Sequence, residues 1–106
     1  MIISTTETIQ GREIQKTIGL VRGNTIRARH VGRDIMAAIR TLVGGEISEY
    51  TKLMAEAREQ ALDRLEAEAT RLGANAVVGV RFSTSVVLGG AAELLAYGTG
   101  VVISDD

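Results

Sequence analysis

The sequence predicts a small α+β domain with the element order β-β-α-α-β-β, in which a curved antiparallel sheet packs on one long helix. Three observations lead to this prediction. Apolar residues recur at helical spacing through the middle of the chain, β-branched runs flank that segment on both sides, and several glycines lie inside the β-branched runs. A chain of 106 residues has the size of one domain, so we assign residues 1–106 to a single unit.

The composition excludes several classes of site and partner. The chain contains no cysteine, which excludes disulfides, thiolate catalysis and cysteine-ligated zinc. Its formal net charge of -1 gives no general attraction to nucleic acid or to acidic membranes. No apolar run reaches the roughly 18 residues of a membrane span, and the N-terminal residues lack the pattern of a signal peptide. We therefore expect a cytoplasmic protein that binds neither nucleic acid nor membrane.

The first part of the chain is predicted to form two strands. Ile2-Ile3 indicates a short strand, residues 6–12 a polar loop, and residues 13–29 a long strand. In the long strand, one parity holds Ile14, Ile18, Leu20 and Ile26, and the other holds Gln15, Thr17, Thr25 and Arg27. Val21 breaks this alternation, which predicts a bulge or bend near the flanking Gly19 and Gly23.

Two helices are predicted in the middle of the chain. Residues 34–43 form a short helix that Gly44-Gly45 ends. The long helix begins at Ser48, a suitable N-cap, and has Glu49 in its first turn, where the helix dipole favours a carboxylate. Gly73 closes this helix. Its apolar stripe has i, i+3, i+4 spacing and contains Tyr50, Leu53, Met54, Ala57, Ala61, Leu65, Ala69 and Leu72.

The last part of the chain is predicted to form an antiparallel hairpin. Residues 76–87 and 92–103 are the strands, and the Gly-rich stretch 88–90 is the turn. In the first strand, alternation groups Val78 with Val80 on one face and Val77 with Arg81 on the other. Both faces of the last strand are apolar, so we expect that it is covered on both sides. In a chain of this size, we expect the second cover to come from another subunit.

Motifs that are spread over nearly the whole chain are similar to those of a known family. They are Thr5-Thr6, Arg33-Asp34-Ile35, Gly44-Gly45-Glu46, Tyr50, Ala57-Arg58, Ala61-Leu62, the LGANAVVGV run of residues 72–80, and Tyr97-Gly98-Thr99. With these motifs, the sequence resembles the YbjQ-like family, whose members are labelled "putative heavy-metal-binding". One departure is Gly100, which stands where the family typically has alanine.

The resemblance implies a fold and an assembly rather than an activity. It implies a compact domain related to the dodecin-like small-subunit folds, assembled with copies of itself into a ring, a pentamer. The family label implies a divalent or heavy metal ion as the ligand, although the biochemical activity of the family is not established.

Three residues are the best candidates for metal ligands: Glu46, Glu49 and His30. One histidine cannot build a zinc site alone, but in a ring several copies of one residue converge on the axis. Glu46 and Glu49 flank the start of the long helix, where several copies of each could be presented together. The structural alternatives are a loop acid for Glu46, a partner of the helix dipole for Glu49, and an exposed strand-end imidazole for His30.

Nucleic-acid binding and catalysis have little support in the sequence. A basic cluster at Arg27, Arg29, His30 and Arg33 suits a phosphate or an acidic partner, or else a solvated strand end or ion pairs between subunits. No aromatic residues are interleaved there for base stacking. A serine or threonine nucleophile needs a base, and the only histidine lies far from most of them in sequence.

The working hypothesis is therefore a non-enzymatic, ring-forming protein that binds metal. The alternative is a structural or small-ligand scaffold whose pocket lies between subunits and is lined by strand residues such as Tyr97 and Arg81.

Overall fold

The computed structural model describes residues 1–27, 48–87 and 91–105, which form four strands and one helix. The elements are β1 (Ile2–Ile3), β2 (Ile14–Arg27), α1 (Ser48–Arg71), β3 (Ala76–Val87) and β4 (Ala91–Ile103). The predicted α+β class is confirmed. The predicted short helix at residues 34–43 and the turn at residues 88–90 lie outside the described residues.

The four strands form one mixed sheet in the order β1-β3-β4-β2. Strand β4 pairs antiparallel with both β3 and β2, and the predicted hairpin of the last two strands is confirmed. Strand β1 runs parallel to β3, with Ile2 opposite Ala76 and Ile3 opposite Val77. The prediction of a wholly antiparallel sheet is therefore wrong at this edge. A parallel pair needs a long connection, and here β2 and α1 both lie between the two strands in sequence.

Helix α1 packs on one face of the sheet, mainly against β2 and β4. Its fully buried side chains recur every four residues and are at most 1% exposed: Ala57, Ala61, Leu65 and Ala69. Three of these four side chains are methyl groups, which lets the helix lie close to the sheet. At Gly23 of β2, an added Cβ would lie 2.2 Å from the amide nitrogen of Leu65 and 2.4 Å from the carbonyl oxygen of Ala61. Only glycine fits at this point of contact.

At the end of the sheet that contains Ala76 and Ile103, residues of the same chain cover both faces. One core lies between the sheet and α1, and the other lies on the opposite face. The second core consists of Ala76, Val78, Val101 and Ile103, with Ile9 and Ile14 packed against it. Strand β4 is thus apolar on both faces, as predicted, but at Val101 and Ile103 the second cover comes from the same chain rather than from a neighbour.

Two irregularities in the pairing of β2 with β4 decide which of its residues face the helix. The register with β4 shifts twice between residues 14 and 19, which confirms the predicted bulge near Gly19. Beyond it, Val21 and Thr25 face the helix and are 1% and 2% exposed, whereas Leu20 and Ile26 are each 64% exposed. Because two insertions together restore the original alternation, Leu20 and Ile26 lie with Ile14 on the face opposite α1, whereas Ile18, at the second shift, packs against the core under α1.

The LGANAVVGV run of residues 72–80 follows the end of α1 and begins β3. The amides of Gly73 and Ala74 donate back to carbonyl groups in the last turns of α1, at 3.1 and 2.9 Å, in the pattern of a Schellman motif. The side chain of Asn75 then bonds to both main-chain groups of Ile103. Its Nδ2 donates to the carbonyl oxygen at 3.1 Å, and its Oδ1 accepts from the amide at 2.7 Å.

The C-terminal turn of α1 carries an exposed ion pair. Arg71 donates hydrogen bonds of 2.9 and 3.1 Å to the carboxylate of Glu68. This hydrogen bonding, together with the positive charge, holds the pKa of Glu68 below its ordinary value. Among the described residues, no helix has the length and apolar character needed to cross a membrane.

Candidate functional site

A concave site lies on the face of the sheet opposite α1. Its volume is about 430 Å³, and its lining comes from β2, β3, β4 and the segment between β1 and β2: Glu7, Ile14, Thr17, Val78, Gly79, Arg81, Thr99 and Val101. We name this site the Arg81 cavity. Its volume lies within the range of about 300–1,000 Å³ that is typical of small-molecule sites.

Arg81 reaches the cavity because β3 contains a bulge at Gly79. The register with β4 shifts between Val78 and Arg81. Gly79 has a φ of 63°, in the left-handed region that favours glycine. Val77 packs in the core under α1, whereas Arg81 lies with Val78 on the opposite face. The predicted grouping of Arg81 with Val77 is therefore wrong, because one inserted residue moves Arg81 to the other face.

Main-chain carbonyl groups hold the guanidinium of Arg81 in place. Its Nη1 donates to the carbonyl oxygen of Thr5 at 2.9 Å and to that of Val80 at 2.8 Å. Both bonds use the same nitrogen, and within the described part of the chain Arg81 forms no ion pair. The positive charge and the remaining N–H donors are thus available to an anionic group in the cavity.

The segment after β1 is fixed along the edge of β3 and carries Glu7 to the same cavity. The amide of Gly79 donates to the carbonyl oxygen of Thr6 at 2.8 Å, and the amide of Val80 donates to that of Ser4 at 3.0 Å. Glu7 follows Thr6 directly and lines the cavity. An acidic and a basic residue, Glu7 and Arg81, therefore line one cavity, and the same short stretch of β3 positions both.

The remaining lining is apolar with two hydroxyl groups. Val78 and Val101 are 6% and 1% exposed and belong to the second core. The hydroxyls of Thr17 and Thr99 have no hydrogen-bond partner among the described residues. The cavity thus offers an apolar surface, two neutral hydrogen-bonding groups and two opposite charges.

The predicted metal ligands lie elsewhere in the chain. His30 and Glu46 are outside the described residues, as is most of the basic cluster at residues 27–33. Glu49 lies in the first turn of α1, and its side chain is not among those described. Across residues 1–27, 48–87 and 91–105, no group of three or more His, Cys, Asp or Glu side chains is placed to hold a metal ion. The metal site therefore stays a prediction.

The sequence predicts Arg81 in a pocket between subunits, whereas the Arg81 cavity lies within one chain, and sequence reasoning missed Glu7, Thr17 and Thr99 as its lining. Tyr97 pairs with Arg81 across the strands and is 36% exposed, and it does not line the Arg81 cavity, so its place in a pocket between subunits stays a prediction. A glycine within the valine-rich start of β3 is the one local signal of the bulge, and hence of the cavity.

Comparisons with known proteins match nearly the entire chain. The model of the YbjQ family, described as "Putative heavy-metal-binding", matches residues 1–104. A UPF0145 protein of Methanosarcina acetivorans is 58% identical over 103 residues, which is 97% of each chain. A UPF0145 protein of Archaeoglobus fulgidus is 57% identical over 101 residues, 95% of this chain and 94% of the relative. One from Psychromonas ingrahamii is 54% identical over 101 residues, 95% of this chain and 96% of the relative.

A solved structure has a similar fold. The crystal structure of a protein of unknown function from Pediococcus pentosaceus, which belongs to the DUF74 family, superposes with a TM-score of 0.63 and covers 98% of each chain. The two sequences are 20% identical, so the likeness concerns the fold alone.

Proposed function

This chain belongs to the YbjQ-like family, and we propose that it is a non-catalytic, homo-oligomeric protein that binds a small ligand in the Arg81 cavity. One observation carries the proposal. Arg81 lines a concave site, and its guanidinium keeps donors that no described residue uses. Convergent polar groups in a concave site of this volume are a usual feature of a small-molecule site.

The way in which the cavity is built supports a binding role. Three strands and the segment before β2 contribute to it, and the bulge at Gly79 brings Arg81 to it. Bulges are found preferentially where a strand must redirect a side chain beside a site. Because two carbonyl groups fix Nη1, a ligand would find the guanidinium already oriented, which reduces the entropy lost on binding.

Binding without catalysis is the simplest use of these groups. The hydroxyls of Thr17 and Thr99 would need a nearby base to act as nucleophiles. The carboxylate that lines the cavity with them is Glu7, and the single histidine of the chain, His30, lies outside the described residues. We therefore assign the cavity to recognition.

Assembly into a ring is the second part of the proposal. Leu20 and Ile26 point away from α1 on β2, and each is 64% exposed in the single chain. Strand β2 is 14 residues long and forms one edge of the sheet. Exposed apolar side chains on a long edge strand are typical of a surface that another chain covers. The pentameric state rests on the family resemblance.

Native mass spectrometry of protein purified without chelator tests this function. We expect a homo-oligomer that retains a small organic compound, and we expect Arg81→Gln to lose that compound because the guanidinium is removed. Arg58→Gln is the matched control, since Arg58 is exposed on α1 and does not line the cavity. Retention of the same compound by Arg81→Gln and wild type would contradict the assignment to this cavity.

Metal binding is the second candidate function, and the description of the matching family favours it. The described residues of one chain do not provide a fitting set of ligands. A site would have to draw on Glu46, Glu49 and His30, in copies from several subunits. Calorimetric titration of chelator-stripped protein with Zn²⁺ tests this candidate, with Glu49→Gln against Glu59→Gln as the control pair. No binding below about 1 mM, or equal binding by the two variants, would contradict it.

A further inference from the structure

We infer that the ligand of the Arg81 cavity is a small zwitterion with an ammonium and a carboxylate group, the class to which the aliphatic α-amino acids belong. This inference rests on the function proposed above, because it names the ligand of the same site. It follows from the pairing of charges in the cavity and from the character of its remaining surface.

The two charged groups of the cavity are opposite in sign and do not neutralise each other. Glu7 and Arg81 both line it, yet no nitrogen of Arg81 lies within 4.0 Å of a carboxylate oxygen among the described residues. A ligand with one negative charge would pair with Arg81 but would also feel repulsion from Glu7. A ligand with one positive charge would pair with Glu7 but would also feel repulsion from Arg81. A zwitterion satisfies both groups, since its carboxylate pairs with Arg81 and its ammonium with Glu7.

The rest of the lining suits a short aliphatic side chain. Ile14, Val78 and Val101 provide the apolar surface, and the volume of about 430 Å³ is small. The hydroxyls of Thr17 and Thr99 add neutral groups that can either donate to a carboxylate or accept from an ammonium. A large aromatic or nucleotide ligand would have no aromatic partner in this lining.

The experiment is calorimetric titration of the wild-type oligomer with three matched probes. They are L-leucine, 4-methylpentanoate, which lacks the ammonium, and 3-methylbutylamine, which lacks the carboxylate. We expect leucine to bind at least about tenfold more tightly than either single-charge probe, since each lost charge removes one charged hydrogen-bonded contact.

Two variants distinguish the charges. Glu7→Gln should remove the advantage of leucine over 4-methylpentanoate, and Arg81→Gln should remove its advantage over 3-methylbutylamine. Arg58→Gln and Glu59→Gln, which change exposed charges on α1, should leave all three affinities unchanged.

Other outcomes overturn the inference and separate it from the proposed function. Equal affinity for leucine and 4-methylpentanoate, with no effect of Glu7→Gln, would identify a simple anion site. Failure of all three probes to bind folded wild-type protein would reject the zwitterion class. In both cases the proposed function is judged separately, by whether Arg81→Gln loses the compound retained in native mass spectrometry.

Discussion

The side-chain amide of Asn75 holds the end of β4 in place. It donates to and accepts from the main chain of Ile103, and in this way it takes the place of a strand neighbour. Asn75→Ala would leave the amide and carbonyl of Ile103 without these partners. We expect a loss of about 1–3 kcal/mol in the free energy of unfolding, measured by urea denaturation at a fixed protein concentration.

The controls for Asn75 separate the two bonds from a general effect of truncation. Asn75→Asp keeps the acceptor but loses the donor to the carbonyl oxygen, so its loss should be intermediate. Gln60→Ala removes an exposed side chain on α1 and should stay within about 0.5 kcal/mol of wild type. If Asn75→Ala is as stable as Gln60→Ala, the two bonds contribute nothing to stability.

At the same scale, the sequence does not predict which face of the sheet a residue occupies where a strand contains a bulge. The sequence predicts Arg81 in a pocket between subunits, and alternation assigns it to the face of Val77. The bulge at Gly79 reverses that assignment, and a period of two in the sequence holds no information about an inserted residue. Glu7 lies in a polar loop with no pattern of its own. Its position depends on main-chain bonds to β3, which no local motif could indicate.

At the scale of elements, the contact of α1 with β2 depends on the lack of a side chain at Gly23. A methyl group there would lie 2.2 Å from a main-chain nitrogen of the helix, and a helix backbone cannot yield locally. We expect Gly23→Ala to force the helix away from the sheet and to lower the free energy of unfolding by about 3 kcal/mol, the upper part of the range for overpacked cores. Urea denaturation followed by circular dichroism measures this loss.

Gly100 is the matched control for Gly23, because it is also a buried glycine of the sheet. An added Cβ there would lie 3.1 Å from Cγ1 of Val21 and 3.3 Å from Cβ of Ala74, and these side-chain atoms can shift by a few tenths of an ångström. We expect Gly100→Ala to cost less than about 1 kcal/mol. A loss equal to that of Gly23→Ala would contradict the role of close helix approach.

Elements with a strong period were predicted well, and those without one were not. The apolar stripe from Ala57 to Ala69 predicts α1, and Gly73 predicts where the helix ends. The hairpin of β3 and β4 followed from two apolar runs and a short turn. The parallel direction of β1 was missed, since a strand of two residues has no pattern that indicates its partner or direction.

At the scale of the whole molecule, the structure changes which residues should test the assembly. The two-sided apolar pattern of β4 suggested a neighbouring subunit, but Val101 is 1% exposed and is buried by its own chain. A lysine at Val101 would therefore unfold the subunit and reveal nothing about the ring. The exposed apolar side chains of β2 are the informative positions, because a charge there is tolerated by the single chain.

Leu20→Lys and Ile26→Lys test the ring directly. Each side chain is 64% exposed in the single chain, so we expect both variants to keep the circular dichroism spectrum of wild type. If a neighbouring subunit covers these residues, burial of an unpaired ammonium there costs several kcal/mol, and the assembly should dissociate in sedimentation velocity. Gln60→Lys, on the exposed side of α1, should leave the sedimentation coefficient of the oligomer unchanged. Two lysine variants that sediment like the intact wild-type assembly, or a wild-type protein that is itself monomeric, would show that this face of β2 is not the subunit interface.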